Sequence, residues 1–239
     1  MSGRATLPGL LVPLVAAALL APLGFTATLS LTSQALTPYR SCVLSGTPAT
    51  TTAVIDASVR QGSATSNFGT STTNDIASGS AANRRLYVRF DLTQCTPAIA
   101  SSAVIRLATL RFYPTVLPAV CRTVDIFRAT ATWAEAGITW NNQPFGTAIN
   151  NPASGSATDT YGAGTAAGCE NTATGAYVSG AIVTSDVAAF VAGTATNYGW
   201  MLRDDVEGSA TLRTQTYSAK NLGTASQAPQ LVITYVAVP

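Results

Sequence analysis

The sequence predicts an all-β fold, an antiparallel β-sandwich of jelly-roll type with one or two short helical turns. From residue 52 onward, short apolar runs alternate with turn clusters rich in Gly, Ser, Thr, Asn and Pro. Several of those runs repeat with a period of two, the mark of half-buried antiparallel strands. Helix signals are scarce.

In chain order, "TAVIDASV" (52–59) reads as a strand and gives way to the turn cluster "GSATSNFGTSTTN". In "LYVRFDL" (86–92), Leu86, Val88, Phe90 and Leu92 fall on one face, with Tyr87, Arg89 and Asp91 on the other. After "TQCTPAIASS" come "AVIRLATLRF" (103–112), a proline-bounded loop and "TVDIFRAT" (123–130). Thr132-x-x-Glu135 has the spacing of a capping box, Gly137 stops the turn, and "ITW" resumes a strand. Residues 146–177 are rich in Gly, Ala, Thr and Asn and read as a large loop pinned by Cys169. "SDVAAFVAG" (185–193) supplies two helical turns, with Ser185 as N-cap and Gly193 as terminator. "YGWMLR" (198–203), "LRTQTYS" (212–218) and "LVITYVAV" (231–238) close the set, with Tyr198, Trp200 and Leu202 sharing one face and Leu231, Ile233 and Tyr235 another.

Composition narrows the chemistry. Of 239 residues, 47% are apolar and 10% charged, against about 25% charged in ordinary soluble domains. Thr, Ser, Asn, Gln and Gly must therefore make up the polar surface. Lys220 is the one lysine beside twelve arginines, and the net charge of +2 gives no reason to expect a nucleic-acid partner. The chain has no histidine, which removes Ser-His-Asp and Cys-His catalysis, His-ligated zinc and imidazole proton shuttles together.

Between Arg4 and Arg40 there is no charged residue, and "LPGLLVPLVAAALLAPLGF" is almost wholly apolar. A short basic head before an apolar run reads as an export signal over residues 1–35, with cleavage near Ala27 or Ala35. The run is also long enough for an uncleaved membrane anchor, although Pro8, Pro13 and Pro22 favour the signal peptide. Either reading places the remainder outside the cytoplasm, with a linker over 36–51 and one domain over 52–239. The four cysteines, Cys42, Cys95, Cys121 and Cys169, fit that compartment as two disulfides. Three pairings are open, and no C-x-x-C supports a metal or redox motif.

The order "IDASV", "SNFGTS", "RRLYVRFDL", "ATWAEAGITWNNQP", "SDVAAFVAG", "NYGWMLR", "TYSAK" and "APQLVITY" resembles the DNRLRE-type domain, the group that overlaps the family-96 carbohydrate-binding modules. The resemblance covers most of residues 52 to 236. It implies a jelly-roll sandwich found outside the cell, often attached to polysaccharide lyases, glycoside hydrolases or surface proteins, with polysaccharide as the partner. The four cysteines and the 146–177 loop depart from that family core.

Three sets of residues are candidates for function. Trp133 and Trp140 have the flat apolar faces on which pyranose rings stack, but a corner folded over the open end of a sandwich buries its aromatics, and the sequence favours that plug. Trp200 reads as core. Arg85, Tyr87 and Arg89 lie on the outward face of their strand, while Arg106, Arg111, Arg128 and Arg213 come from others. Sharing a sheet face, they would form a basic, partly aromatic groove for an acidic polysaccharide, since guanidinium binds carboxylate bidentately. Asp204, Asp205 and Glu207, with Asp56, are the candidates for a structural Ca²⁺, the one cofactor suggested. A glycosidase would need paired carboxyls, and Glu135 with Asp204 or Asp205 is the pairing on offer, although Glu135 already has a capping role. The expected function is a secreted, non-catalytic carbohydrate-binding module for an acidic polysaccharide. The alternatives are a structural or adhesive cell-surface protein, tied to the membrane only by its N-terminal segment, and a secreted lyase using Arg and Tyr.

Overall fold

The computed structural model describes residues 38–46, 53–150 and 155–238; the predicted signal peptide or anchor lies outside them. Among the described residues, strands β1 (Tyr39–Ser45), β2 (Val54–Arg60), β3 (Thr73–Ser78), β4 (Arg84–Phe90), β5 (Val104–Arg111), β6 (Pro114–Val116), β7 (Arg122–Arg128) and β8 (Asp159–Ala163) come before helix α1 (Thr184–Val191). Strands β9 (Trp200–Asp204), β10 (Arg213–Ser218) and β11 (Gln230–Val236) follow it. They pair antiparallel in two sheets. The small one runs β1-β11-β5; the large one runs β6-β10-β3-β4-β9-β7-β8, with β2 also paired to β4. The all-β sandwich is as expected.

Several local expectations are corrected. Residues 39–45 are not linker but the edge strand β1, in register with β11 from Tyr39↔Val236 to Ser45↔Gln230. The expected 146–177 loop contains β8, whose Tyr161 and Ala163 point inward. Helix α1 has Val183, not Ser185, at its N-cap, with no side-chain cap. Thr184 uses its hydroxyl to accept from the Ala108 backbone N–H instead (3.0 Å), which fastens the helix start to β5. Gly193, at φ +72°, ends the helix as predicted.

Two apolar cores explain the strand periodicity. Leu86, Val88 and Phe90 of β4 meet Leu110, Trp200, Leu202, Leu231, Ile233 and Tyr235 in the main core. The opposite face of the large sheet is not solvated. Ala57, Val59, Tyr87, Phe127 and Met201 form a second core beneath Trp133, Ile138, Trp140 and Phe145, contributed by the 130–150 segment. The large sheet is therefore covered on both sides at β4. The small sheet keeps its outer face open, with Tyr39 at 69% exposure and Val43 at 57%.

Arg85 is buried in that second core. Its Nε and one terminal nitrogen donate to Glu207 Oε1 (2.7 Å) and Oε2 (2.8 Å). The remaining N–H groups reach Gln143 Oε1 (3.1 Å) and the carbonyls of Gly146 (2.9 Å) and Ala148 (2.7 Å). All five donors are used, and the guanidinium lies 4.6 Å from the Trp140 ring centroid. Tyr87 donates its hydroxyl to the same Gln143 oxygen (3.0 Å), and burial raises the phenol's pKa above its ordinary value.

The disulfides are Cys42–Cys95, tying β1 to the turn after β4, and Cys121–Cys169, joining the start of β7 to the segment after β8. The second does pin the expected loop.

Removing one member of a buried ion pair strands the other charge, at a cost of about 3–5 kcal/mol. Glu207→Ala should lower the unfolding free energy by that amount in urea titrations. The double change Arg85→Met with Glu207→Leu should recover much of the loss, and an additive double mutant would contradict the pairing.

Candidate functional site

The corner at 130–145 acts as a plug. Trp133 and Trp140 are 7% and 3% exposed, so neither offers a ring face to a ligand. Trp133 donates its indole N–H to the Tyr198 carbonyl (2.8 Å) and packs edge-on against Tyr87 at 5.6 Å. Glu135 does not close a capping box, and no strand resumes after Gly137. Its carboxylate instead accepts from the Asp56 backbone N–H (3.0 Å) and from Lys220 Nζ (2.6 Å). Asn67 Nδ2 ties the corner down by donating to the carbonyls of Glu135 (2.7 Å) and Ile138 (2.8 Å). Gly69 lies so close that a Cβ there would sit 2.1 Å from the Glu135 carbonyl oxygen. Of the residues that make these long bonds, the sequence offered Glu135 and Asp56 for other roles and gave Asn67 and Lys220 none.

The predicted arginine face over β4 is not formed. Arg85 and Tyr87 are sealed beneath the plug. Arg128 pairs with Asp186 (3.3 Å), which also accepts from Trp200 Nε1 (2.9 Å) and Thr158 Oγ1 (2.8 Å). Of Arg85, Arg89 and Arg128, only Arg89 is both partly open and outside any ion pair among the described residues; Arg213, on β10, is likewise half-buried and in no such pair. The period-two reading assigned the sides of β4 correctly, but the outward side faces a second core rather than water.

The carboxylates proposed for Ca²⁺ do not converge. Arg122 grips Asp204 through both oxygens and reaches Asp205 at 3.5 Å. Glu207 belongs to Arg85. Asp56 lies elsewhere, its Oδ2 accepting from Asn74 Nδ2 (2.8 Å) and the Lys220 backbone N–H (3.0 Å). Among the described residues, no three acidic or cysteine side chains come together around one ion position. At Asp204, Asp205 and Glu207 guanidinium groups already supply the positive charge that a cation would bring. Glu135, held by Lys220, forms no carboxyl pair with Asp204 or Asp205, each held by Arg122.

A shallow opening of about 300 Å³ lies on the corner, and larger ones lie elsewhere. On the outer face of the small sheet, successive rows run Tyr39–Val236–Val104, Ser41–Thr234–Leu107, Val43–Val232–Thr109 and Ser45–Gln230–Arg111. Ile182 bridges to Thr109 and extends the surface beyond β5. A groove of about 350 Å³ runs here, with Leu107, Thr109, Arg111, Tyr177, Ser179 and Ile182 among its lining. Tyr177 is fixed by its hydroxyl donating to the Ala228 carbonyl (3.0 Å) and by an edge contact with Tyr113 at 5.6 Å; burial raises its pKa. Strands β1, β5 and β11 carry Arg40, Arg106 and Arg111 and not one Asp or Glu. All three arginines are exposed and in no ion pair among the described residues. Arg106 and Arg111 were candidates from sequence. Tyr177, hidden in a segment read as loop, was not, because nothing local marks it as a neighbour of β5. A second opening, of about 430 Å³, lies beside Arg89 between the end of β4 and α1.

Asp56 gives the fold a pH signature. Its other oxygen, Oδ1, is buried without a partner. Desolvation raises the carboxyl to about 7, opposed by the Lys220 backbone N–H and reinforced by the Glu135 charge. An acid whose pKa is higher in the folded state binds its proton more tightly there. Its stabilisation is therefore complete below the unfolded pKa near 3.9 and is lost as pH rises towards 7. Asp56→Asn, which keeps an acceptor for both donors, should flatten the fall in urea midpoint between those limits. A wild-type slope in that variant would assign the pH dependence to another group.

Two comparisons with known proteins bear on this geometry. No curated protein matches the chain. The family model described as carbohydrate-binding module family 96 matches residues 47–235, from just before β2 to within β11. Since that match covers well over half of the chain and takes in every strand but β1, the chain belongs to carbohydrate-binding module family 96.

Proposed function

We propose that the protein is a secreted, non-catalytic module that binds an acidic polysaccharide across the outer face of its small sheet. The observation that carries this reading is the charge of the small sheet: Arg111 in the outer-face rows, exposed Arg106 at the bulge of β5 and exposed Arg40 at the end of β1, with no carboxylate on β1, β11 and β5. Elsewhere the acidic side chains are largely committed, to Arg60, Arg84, Arg85, Arg122, Arg128, Arg203 and Lys220. A guanidinium without a protein counter-ion is suited to a uronate carboxylate or a sulfate, which it holds through two parallel hydrogen bonds.

The groove adds the apolar part of sugar recognition. Leu107, Ile182 and the Tyr177 ring lie beside Arg111, so the C–H face of a pyranose can rest on them while its carboxylate meets the arginine. The rows of the open face give an extended polymer a track longer than a single ring. Two disulfides are what an oxidising, extracytoplasmic compartment allows, which supports export. Family membership favours binding over turnover.

The test is retention of the full, oxidised chain on immobilised polyuronate and on a neutral polymer, at low and high salt. Stronger retention on the polyuronate, weakened by salt, is expected. Arg111→Ala should cost about fivefold in affinity for it, or roughly 1 kcal/mol, the scale of one charge-assisted contact. Retention indifferent to salt and to Arg111→Ala would remove the sheet face from consideration. Shortening of the polymer during the assay would replace a binding function with a catalytic one.

A further inference from the structure

The cleft beside Arg89 has a different chemistry from the sheet face, and it is built rather than incidental. Arg89 and Asp91 leave the end of β4 two residues apart, so their side chains emerge on the same side. They carry opposite charges, yet no ion pair closes between them; each remains available to something else.

Asp91 is held in place. Its Oδ1 accepts from the Thr93 backbone N–H (3.0 Å) and hydroxyl (2.7 Å), and its Oδ2 accepts from Gln94 Nε2 (3.2 Å). These bonds, led by the Thr93 hydroxyl, together with the nearby Arg89 charge hold the carboxyl below its ordinary pKa, so it stays ionised. A carboxylate has about four acceptor positions, and three are taken, which leaves one for a ligand.

The walls are equally fixed. Asn197 donates through Nδ2 to the Phe90 carbonyl (2.8 Å) and accepts through Oδ1 from the Gly199 N–H (3.0 Å), stitching its loop to β4. Gly199, at φ +78°, lets that loop close on the strand; a Cβ there would lie 2.1 Å from the Val88 carbonyl oxygen and 2.7 Å from Arg89 Cβ. Phe190 of α1 is partly exposed and is backed by Trp200, with ring centroids 5.5 Å apart. The cleft is open to solvent on one side, and its volume, about 430 Å³, falls within the usual range of about 300–1,000 Å³ for small-molecule sites.

We infer that this cleft is a second carbohydrate site, separate from the sheet face, and that it takes a neutral sugar residue through vicinal hydroxyls. One hydroxyl donates to Asp91 while its neighbour accepts from Arg89, and the apolar face of the ring lies against Phe190. An acidic sugar is disfavoured, because a carboxylate drawn in by Arg89 also meets the fixed charge of Asp91. Neutral ligands, by contrast, use both groups and feel no net charge. The inference rests on the family's carbohydrate chemistry but not on the assignment of the sheet face.

The experiment is an NMR titration of the full, oxidised chain with neutral gluco-, manno- and galacto-hexasaccharides at high salt, which suppresses the electrostatic binding proposed for β5. At least one of the three is expected to shift the Arg89 Nε–H and the amides of Asn197 and Gly199. Asp91→Asn, which keeps an acceptor for Thr93, should weaken that binding about tenfold; Arg89→Ala should abolish it. Both variants should retain polyuronate, whereas Arg111→Ala should leave the neutral titration unchanged. The inference is overturned if no neutral hexasaccharide moves these resonances. It is also overturned if the shifts survive both cleft variants, or if only uronate oligomers produce them and salt erases them. None of those results depends on whether the sheet face binds polyuronate.

Discussion

A guanidinium cut off from water must find acceptors for all of its N–H groups, and meeting that demand for Arg85 organises much of this molecule. Its acceptors come from Glu207, near the end of β9, and from Gln143, Gly146 and Ala148 in the segment that follows the tryptophan corner. Meeting them requires the 130–150 segment to lie across β4. Once there, Trp133, Trp140 and Phe145 have a core to enter. The large sheet then has apolar contacts on both faces, and the small sheet is left with the open one. The placement of ligand-accessible surface thus follows from where one buried charge is neutralised.

Scarcity of charge works in the same direction. With 10% charged residues, most acids of this chain serve the fold: Asp75 holds Arg60 and Arg84, Asp204 holds Arg122, and Asp186 gathers Arg128, Trp200 and Thr158. Few carboxylates remain to quench arginines at the surface. Arg40, Arg106 and Arg111 end up unopposed because the acids lie on the other sheet and its loops. Around the Arg89 cleft the balance differs, since Asp91 is fixed by neutral donors and keeps its charge for the opening it faces.

Much of the fold was legible in the sequence, and the reason is local. Alternation in β4, β9 and β11 depends on neighbours two residues apart, so it survives in a single sequence. The strand at 159–163 was missed because Gly162 and the Gly- and Ala-rich flanks blur the Tyr161–Ala163 alternation. The site was far less legible. Arg85 and Glu207 are 122 residues apart, and nothing near either one announces the other. Glu135 had the right spacing for a cap, but a lysine 85 residues away and a backbone N–H 79 residues away compete successfully for its carboxylate. The acid-free face is a property of three strands that become neighbours only on folding. Arg106 and Arg111 could be nominated from sequence; that both would stand unpaired, with Arg111 beside Tyr177, could not.

The Cys42–Cys95 bridge has a mechanical meaning. Strand β1 sits at the edge of its sheet, with β11 as its partner, and any tension transmitted from the preceding segment enters the domain there. Antiparallel edge strands peel one hydrogen bond at a time under such a load. Here peeling would stop at Cys42, the fourth residue of β1, because the covalent link then carries the force directly to Cys95. The residues between, spanning a separation of 53 in sequence, form a closed loop that bears no tension. That loop contains β2, β3 and β4, along with Arg85, Arg89 and Asp91. A module tugged by its upstream chain would keep its central strands, and the cleft at their end, shielded from the pull.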